Sequence, residues 1–87
     1  MRGSNIRTLY KLINNQAEAL EFIASGKSKV INKTLKEIKL KKNILIAAII
    51  RDNEVIIPRG TDIIKENDSV IVISKEHMLD DLSDILV

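Results

Sequence analysis

Arg51 in "IIRDNE" and Arg59 in "IPRGTD" flank two tight changes of direction, and they are the candidate polar contacts to a ligand. Both also stand near Asp52, Glu54 and Asp62, and surface ion pairs of that kind contribute little. Catalysis would ask for more: a nucleophile beside a base, or two carboxylates in a dry pocket. His77 is the sole histidine, cysteine is absent, and Ser74 next to Lys75 fits a helix N-cap better than a nucleophile. His77 then reads as a solvated first-turn residue, and Asp80, Asp81 and Asp84 as the polar face of the same helix. Three such carboxylates are an unspecific metal signal, and neither an EF-hand nor a histidine-rich motif is present. The expectation is no catalytic residue, no metal ligand and no enzyme.

Lysines form the other concentration of charge. Residues 1–51 carry 11 basic and 3 acidic side chains, residues 52–87 carry 3 and 9, and the net charge is +2. Lys27, Lys29, Lys33, Lys36, Lys39, Lys41 and Lys42 make most of that asymmetry. Such a run is a solvated rim or a surface for an anion or acidic partner, since like charges this dense repel unless offset. Tyr10 and Phe22 are the two aromatics, too few for a base-stacking platform, so nucleic acid is not an expected partner. Neither GxGxxG nor GxxxxGK[ST] occurs.

These groups need elements to hold them. "NIRTLYKLI" offers Ile6, Leu9, Tyr10 and Ile13 at helical spacing and Ile6, Thr8, Tyr10 and Leu12 at strand spacing. With "NNQ" as a turn and "AEALEFIA" alternating after it, a hairpin is the preferred reading. Thr34 with Glu37 has capping-box spacing and predicts a short helix over 35–40. "ILIAAII" at 44–50 is apolar throughout and predicts a strand covered on both faces. Asp52-Asn53 predicts a two-residue hairpin into a short strand that Pro58 ends. Pro58 fixes φ and Gly60 admits unusual dihedrals, so "PRG" predicts a corner with Arg59 at its tip, open to a ligand or a neighbouring subunit. "TDII" and "SVIVIS" predict two more strands joined by a turn at Asn67. From Ser74 onward, Met78, Leu79, Leu82, Ile85 and Leu86 share a face and predict an amphipathic closing helix.

The expected fold is therefore α+β: a small, mostly antiparallel sheet in meander order, one short helix and one C-terminal amphipathic helix. An 87-residue chain buries only ~60 to 65% of its unfolded surface, so its core alone gives modest stability. Ile, Val and Leu number 30, of which 21 are β-branched. That much aliphatic strand needs cover on both sides, and about five turns of helix cover little more than one face. A second copy of the chain is the simplest source of the rest, so a homodimer is expected. The longest apolar run has seven residues against the ~18 of a membrane span, which favours a cytoplasmic module. "MRGS" at 1–4 reads as a tag or leader, 5–16 as an N-terminal linker or hairpin strand, and 17–87 as the domain.

Two stretches carry a resemblance: "INKTLKEI", similar to a Val-Gly-Lys-Ser-Leu-type start of a short helix, and "AAIIRDNEVIIPRGTDIIKENDSVIVI", similar to a strand, hairpin, Pro-x-Gly corner and Gly-Asp turn. Over residues 17–86 the chain closely resembles the C-terminal regulatory domain of TrkA-type potassium uptake proteins, the RCK-C or TrkA-C module. Asn32 and Asn67 stand where glycine is usual, and both tolerate a left-handed backbone. The resemblance implies regulation: a cytoplasmic protein at the inner face of the membrane, assembled as a ring on a potassium transporter. It implies a module that dimerises and, in some relatives, binds a small effector such as cyclic di-AMP at the seam. Nucleotide or NAD would belong to an N-terminal Rossmann-like domain absent from this sequence. Two rival readings are the same module serving an anion permease or antiporter, and a small basic nucleic-acid binder using residues 27–42.

Overall fold

The computed structural model describes residues 6–12, 17–26, 28–75, 79 and 81–87, and the side chains of these except 8–12. Five strands form one sheet: β1 (Ile6–Leu12), β2 (Ala17–Ile23), β3 (Ile44–Arg51), β4 (Glu54–Ile56) and β5 (Ser69–Lys75). The spatial order is β1-β2-β5-β3-β4 and every pairing is antiparallel. The N-terminal segment is thus a hairpin. Meander order, by contrast, is not what forms. β4 is a three-residue edge strand ended by Pro58, so the chain leaves the sheet, crosses the core face and returns as β5 between β2 and β3. On that crossing "TDII" makes only isolated bridges, Ile63 to Thr34 and Ile64 to Ile31, in place of a strand.

The apolar run of β3 has a second cause besides burial. A register shift between Ile46 and Ala48 inserts one residue, so Ile44, Ile46 and Ile49 all turn inward despite their uneven spacing. With Leu20, Phe22, Val70 and Val72 they form the sheet's half of the core. Val30, Ile38, Ile64, Leu79, Leu82 and Ile85 pack onto it from segments without strand or long helix.

Neither expected helix forms among the described residues. At 34–38 half of the capping box forms: Glu37 Oε1 accepts the Thr34 N–H at 3.1 Å, while the Thr34 hydroxyl donates to the same oxygen at 2.6 Å and does not take the Glu37 N–H. A single turn is closed by Glu37 N donating to Thr34 O, and it is tied to the distant corner, where the Leu35 and Lys36 N–H groups donate to the Asp62 and Gly60 carbonyls and Thr34 bridges Ile63. Donors that a helix start leaves orphaned are satisfied across the fold, and the turn goes no further. In the C-terminal part, Ser74 belongs to β5 rather than to a cap. A 3-10 turn spans Leu82–Ile85, where Asp84 accepts the Asp81 N–H at 3.0 Å. The end is extended because Lys41 N donates to Ile85 O, Val87 N to Lys39 O, and Leu40 bridges Leu86. His77, Met78 and Asp80 lie outside the described residues.

Left-handed backbone falls on Asn32, Asn43, Asp52, Asn53 and Asn67, with φ between 51 and 72°. Asn and Asp tolerate it through local hydrogen bonding. Asp52 and Asn53 together give the type I′ hairpin that suits the twist of β3 and β4. Gly60 differs from expectation: its φ is not positive, and a Cβ there would stand 3.3 Å from Lys36 Cβ. Glycine suits the close approach to residue 36, whose N–H bonds the Gly60 carbonyl at 3.0 Å.

Candidate functional site

The two arginines proposed from sequence have different fates. Arg51 ends β3, and its Nε and Nη2 donate to the two oxygens of Asp68 at 2.9 and 2.7 Å, a bidentate pair. Nη2 also donates to the Ile63 carbonyl at 2.8 Å, and Asp68 accepts the Lys65 N–H at 2.8 Å. Asp68 is 2% exposed and the Arg51 side chain 28%. Burial pushes the Asp68 carboxyl upward, but the hydrogen bonds from Arg51 and Lys65 and their positive charges outweigh it and hold it below the ordinary carboxylate range. The Asp68 hydrogen bond in turn raises Arg51. This staple ties the β3–β4 hairpin to residues 63–68, where Asn67 N and Asp68 O bond Ala24 at 2.8 Å each. Arg51 was expected beside Asp52, Glu54 or Asp62; the buried Asp68 takes it instead because it completes the planar fork.

Arg59 is exposed at the corner, and its guanidinium pairs with no described residue. The Asp62 carboxylate, a sequence-level candidate for it, accepts the Arg59 backbone N–H at 2.7 Å and locks the corner. Arg51 lines an open hollow with Asp52 and residues 65–68, and Arg59 is not among the residues lining it. Among the described residues no group of acidic or histidine side chains is spaced to hold a metal ion.

A larger surface feature lies on the sheet's second face. Registers Ala19–Ile73–Leu45, Glu21–Ile71–Ala48 and Ile23–Ser69–Ile50–Val55 run straight across it. This strip is only partly covered: Ile23 is 42% exposed, Leu45 58% and Val55 66%, while Ile50, Ile71 and Ile73 between them are half-buried. Its polar node is internal, since Ser69 Oγ donates to Glu21, which also takes the Arg7 guanidinium. Sequence reasoning named the surplus of strand surface but not this strip, because the bulge in β3 conceals which residues face out.

Comparison with known proteins follows the same span. A model of the TrkA-C domain matches residues 20–87. Trk system potassium uptake protein TrkA homolog 2 of Methanosarcina mazei is 41% identical over 70 residues, covering 80% of this chain and 16% of the relative. TrkA homolog 1 of the same organism is 40% identical over 72 residues, or 83% and 16%. The Haemophilus influenzae protein TrkA is 32% identical over 75 residues, again 83% and 16%. The chain thus spans about a sixth of the length of these curated relatives. Among the described residues no helix is long and apolar enough to cross a membrane.

Proposed function

Since the chain belongs to the TrkA-C domain family, we propose that it is a regulatory, non-catalytic module of a potassium uptake system that works as a homodimer. The partly covered face of the sheet carries this reading. Contiguous exposed apolar strips mark interaction surfaces. Its occupant is a second copy, because apart from Lys75 at one end the described charges of the strip, Glu21 and Arg7, neutralise each other. Two such faces meet without like-charge repulsion, as a two-fold contact requires.

Control follows from pairing. An effector that binds one packing of the two copies better than another shifts the equilibrium by its differential affinity and no more. The dimer seam is the place for it, with Arg59 at the exposed corner available to an anionic group or the neighbouring subunit. Arg51 contributes by holding Asp68 and the geometry around it. The names of the relatives supply the transported ion, and the membrane partner is a potassium transporter bound through the longer protein.

Sedimentation of the chain and of Leu45→Glu tests the pairing. The parent is expected as a dimer at micromolar concentration and the variant as a folded monomer, with potassium uptake by the longer protein losing its regulation when it carries the same change. A parent that sediments as a monomer overturns the proposal.

A further inference from the structure

On the side of the molecule away from that strip, residues 29–39 and 86–87 bound an open hollow of about 220 Å³. Its rim holds Lys29, Lys33 and Lys39, and Ile38 and Leu86 give it an apolar floor. All three lysines are exposed and none makes a close ion pair with a described residue, though Lys33 is near enough to Glu37 to help hold its carboxylate charged. Glu37, the one carboxylate lining the hollow, is held by the N–H and hydroxyl of Thr34. Three cations therefore line the space with one acid, which is held by Thr34 and offsets Lys33 in part.

The rim is fixed by backbone. Lys29 N donates to Ser83 Oγ at 3.3 Å, Asn32 N to Ile64 O at 3.0 Å, and Val87 N to Lys39 O at 2.9 Å. The turn that carries Lys36 and Glu37 hangs from the Gly60 and Asp62 carbonyls. Three separate segments are thus held so that their like charges converge, an arrangement an anion in the hollow would offset.

We propose that the hollow rimmed by Lys29, Lys33 and Lys39 is a binding site for a small phosphorylated anion, separate from the pairing face. Its volume equals roughly seven molecules of liquid water, the size of a pyrophosphate or a nucleoside monophosphate's charged end over an apolar floor. Nucleic acid fits less well, because no aromatic side chain is among the residues that line the hollow. A flat bilayer would contact the outward lysines without entering the concavity.

Amide chemical shifts read the test, with pyrophosphate, adenosine monophosphate and phosphatidylserine vesicles added separately to the chain at low salt. Pyrophosphate is expected to give saturable shifts at Lys29, Lys33, Lys39 and Val87 with a Kd below ~1 mM. Adenosine monophosphate binding more tightly than pyrophosphate would assign the source as a nucleotide; the reverse order would assign an inorganic or non-nucleotide phosphate. The pair Lys33→Gln and Lys39→Gln should weaken binding about tenfold or more, whereas Lys65→Gln with Lys75→Gln, the same loss of charge elsewhere, should change it less than about twofold. Equal weakening by both pairs, or shifts that never saturate, overturns the site. So does vesicle binding without a pyrophosphate response, which gives the lysines to a membrane. Retention of the response in Leu45→Glu supports a site independent of pairing, and its loss there overturns the placement.

Discussion

Cutting the Arg51–Asp68 staple from its two sides should destabilise the chain unequally, and exposure sets the order. In Arg51→Ala the Asp68 carboxylate keeps only the Lys65 N–H at 2.8 Å and stays all but buried. A buried charge stripped of its partner costs ~3 to 5 kcal/mol, and the retained hydrogen bond places this case at the lower end, about 3 kcal/mol. In Asp68→Ala the survivor is a guanidinium that is 28% exposed and still bonds Ile63 O. It rehydrates more easily, so the expected loss is about 2 kcal/mol. The double variant should lose less than the sum, by about 1 to 2 kcal/mol of coupling. Urea unfolding followed by circular dichroism, at pH 7 and fixed protein concentration, measures all three. With a slope of ~1 to 1.5 kcal/mol per molar, the Arg51→Ala midpoint should fall by about 2 M or more. The reasoning is refuted if Arg51→Ala stays within about 0.5 kcal/mol of the parent, or if the two single losses add.

The same pair contributes to the acid limb of stability. Because the folded Asp68 pKa lies below its ordinary value of ~3.9, the stabilisation is complete above that value and is lost as pH falls through the lower folded pKa. A plot of unfolding free energy should be flat for this group near neutrality and decline below about pH 4, and the decline should shrink in Asp68→Asn. At the turn before β5, Asn67 has φ of 72°. Asn67→Ala should cost about 1 kcal/mol and Asn67→Gly should be neutral or stabilising, as read from thermal midpoints.

Strands and turns were legible where local chemistry decides them. Asp52-Asn53, Asn32 and Asn67 announce positive φ, Pro58 announces the end of β4, and alternation in 17–23 announces β2. The helices failed because their signals are shared with other structures. Thr34 and Glu37 make half of a capping box, the Glu37 carboxylate accepting the Thr34 N–H. The Thr34 hydroxyl, however, donates to that carboxylate and the Glu37 N–H bonds the Thr34 carbonyl, which closes one turn tied to the distant corner. Leu79, Leu82 and Ile85 at intervals of three suit a buried 3-10 turn as well as a helix, and pairing with 39–41 decides between them. Strand order is a long-range matter. Nothing local in "SVIVIS" says that it lies between β2 and β3. The partner of Arg51 was illegible for the same reason: Asp52 and Glu54 are nearer in sequence, whereas Asp68 is nearer once the crossing returns.

β5 is the strand that both halves of the sheet share, and among the described residues it is also the last strand in sequence. Until residues 69–75 leave the ribosome, the hairpin of β1 and β2 and the hairpin of β3 and β4 have no common neighbour, and their greasy sides have nothing to close on. The sheet therefore cannot close before Ser69–Lys75 is in place, and a chain stopped short of Ser69 holds two unconnected ribbons.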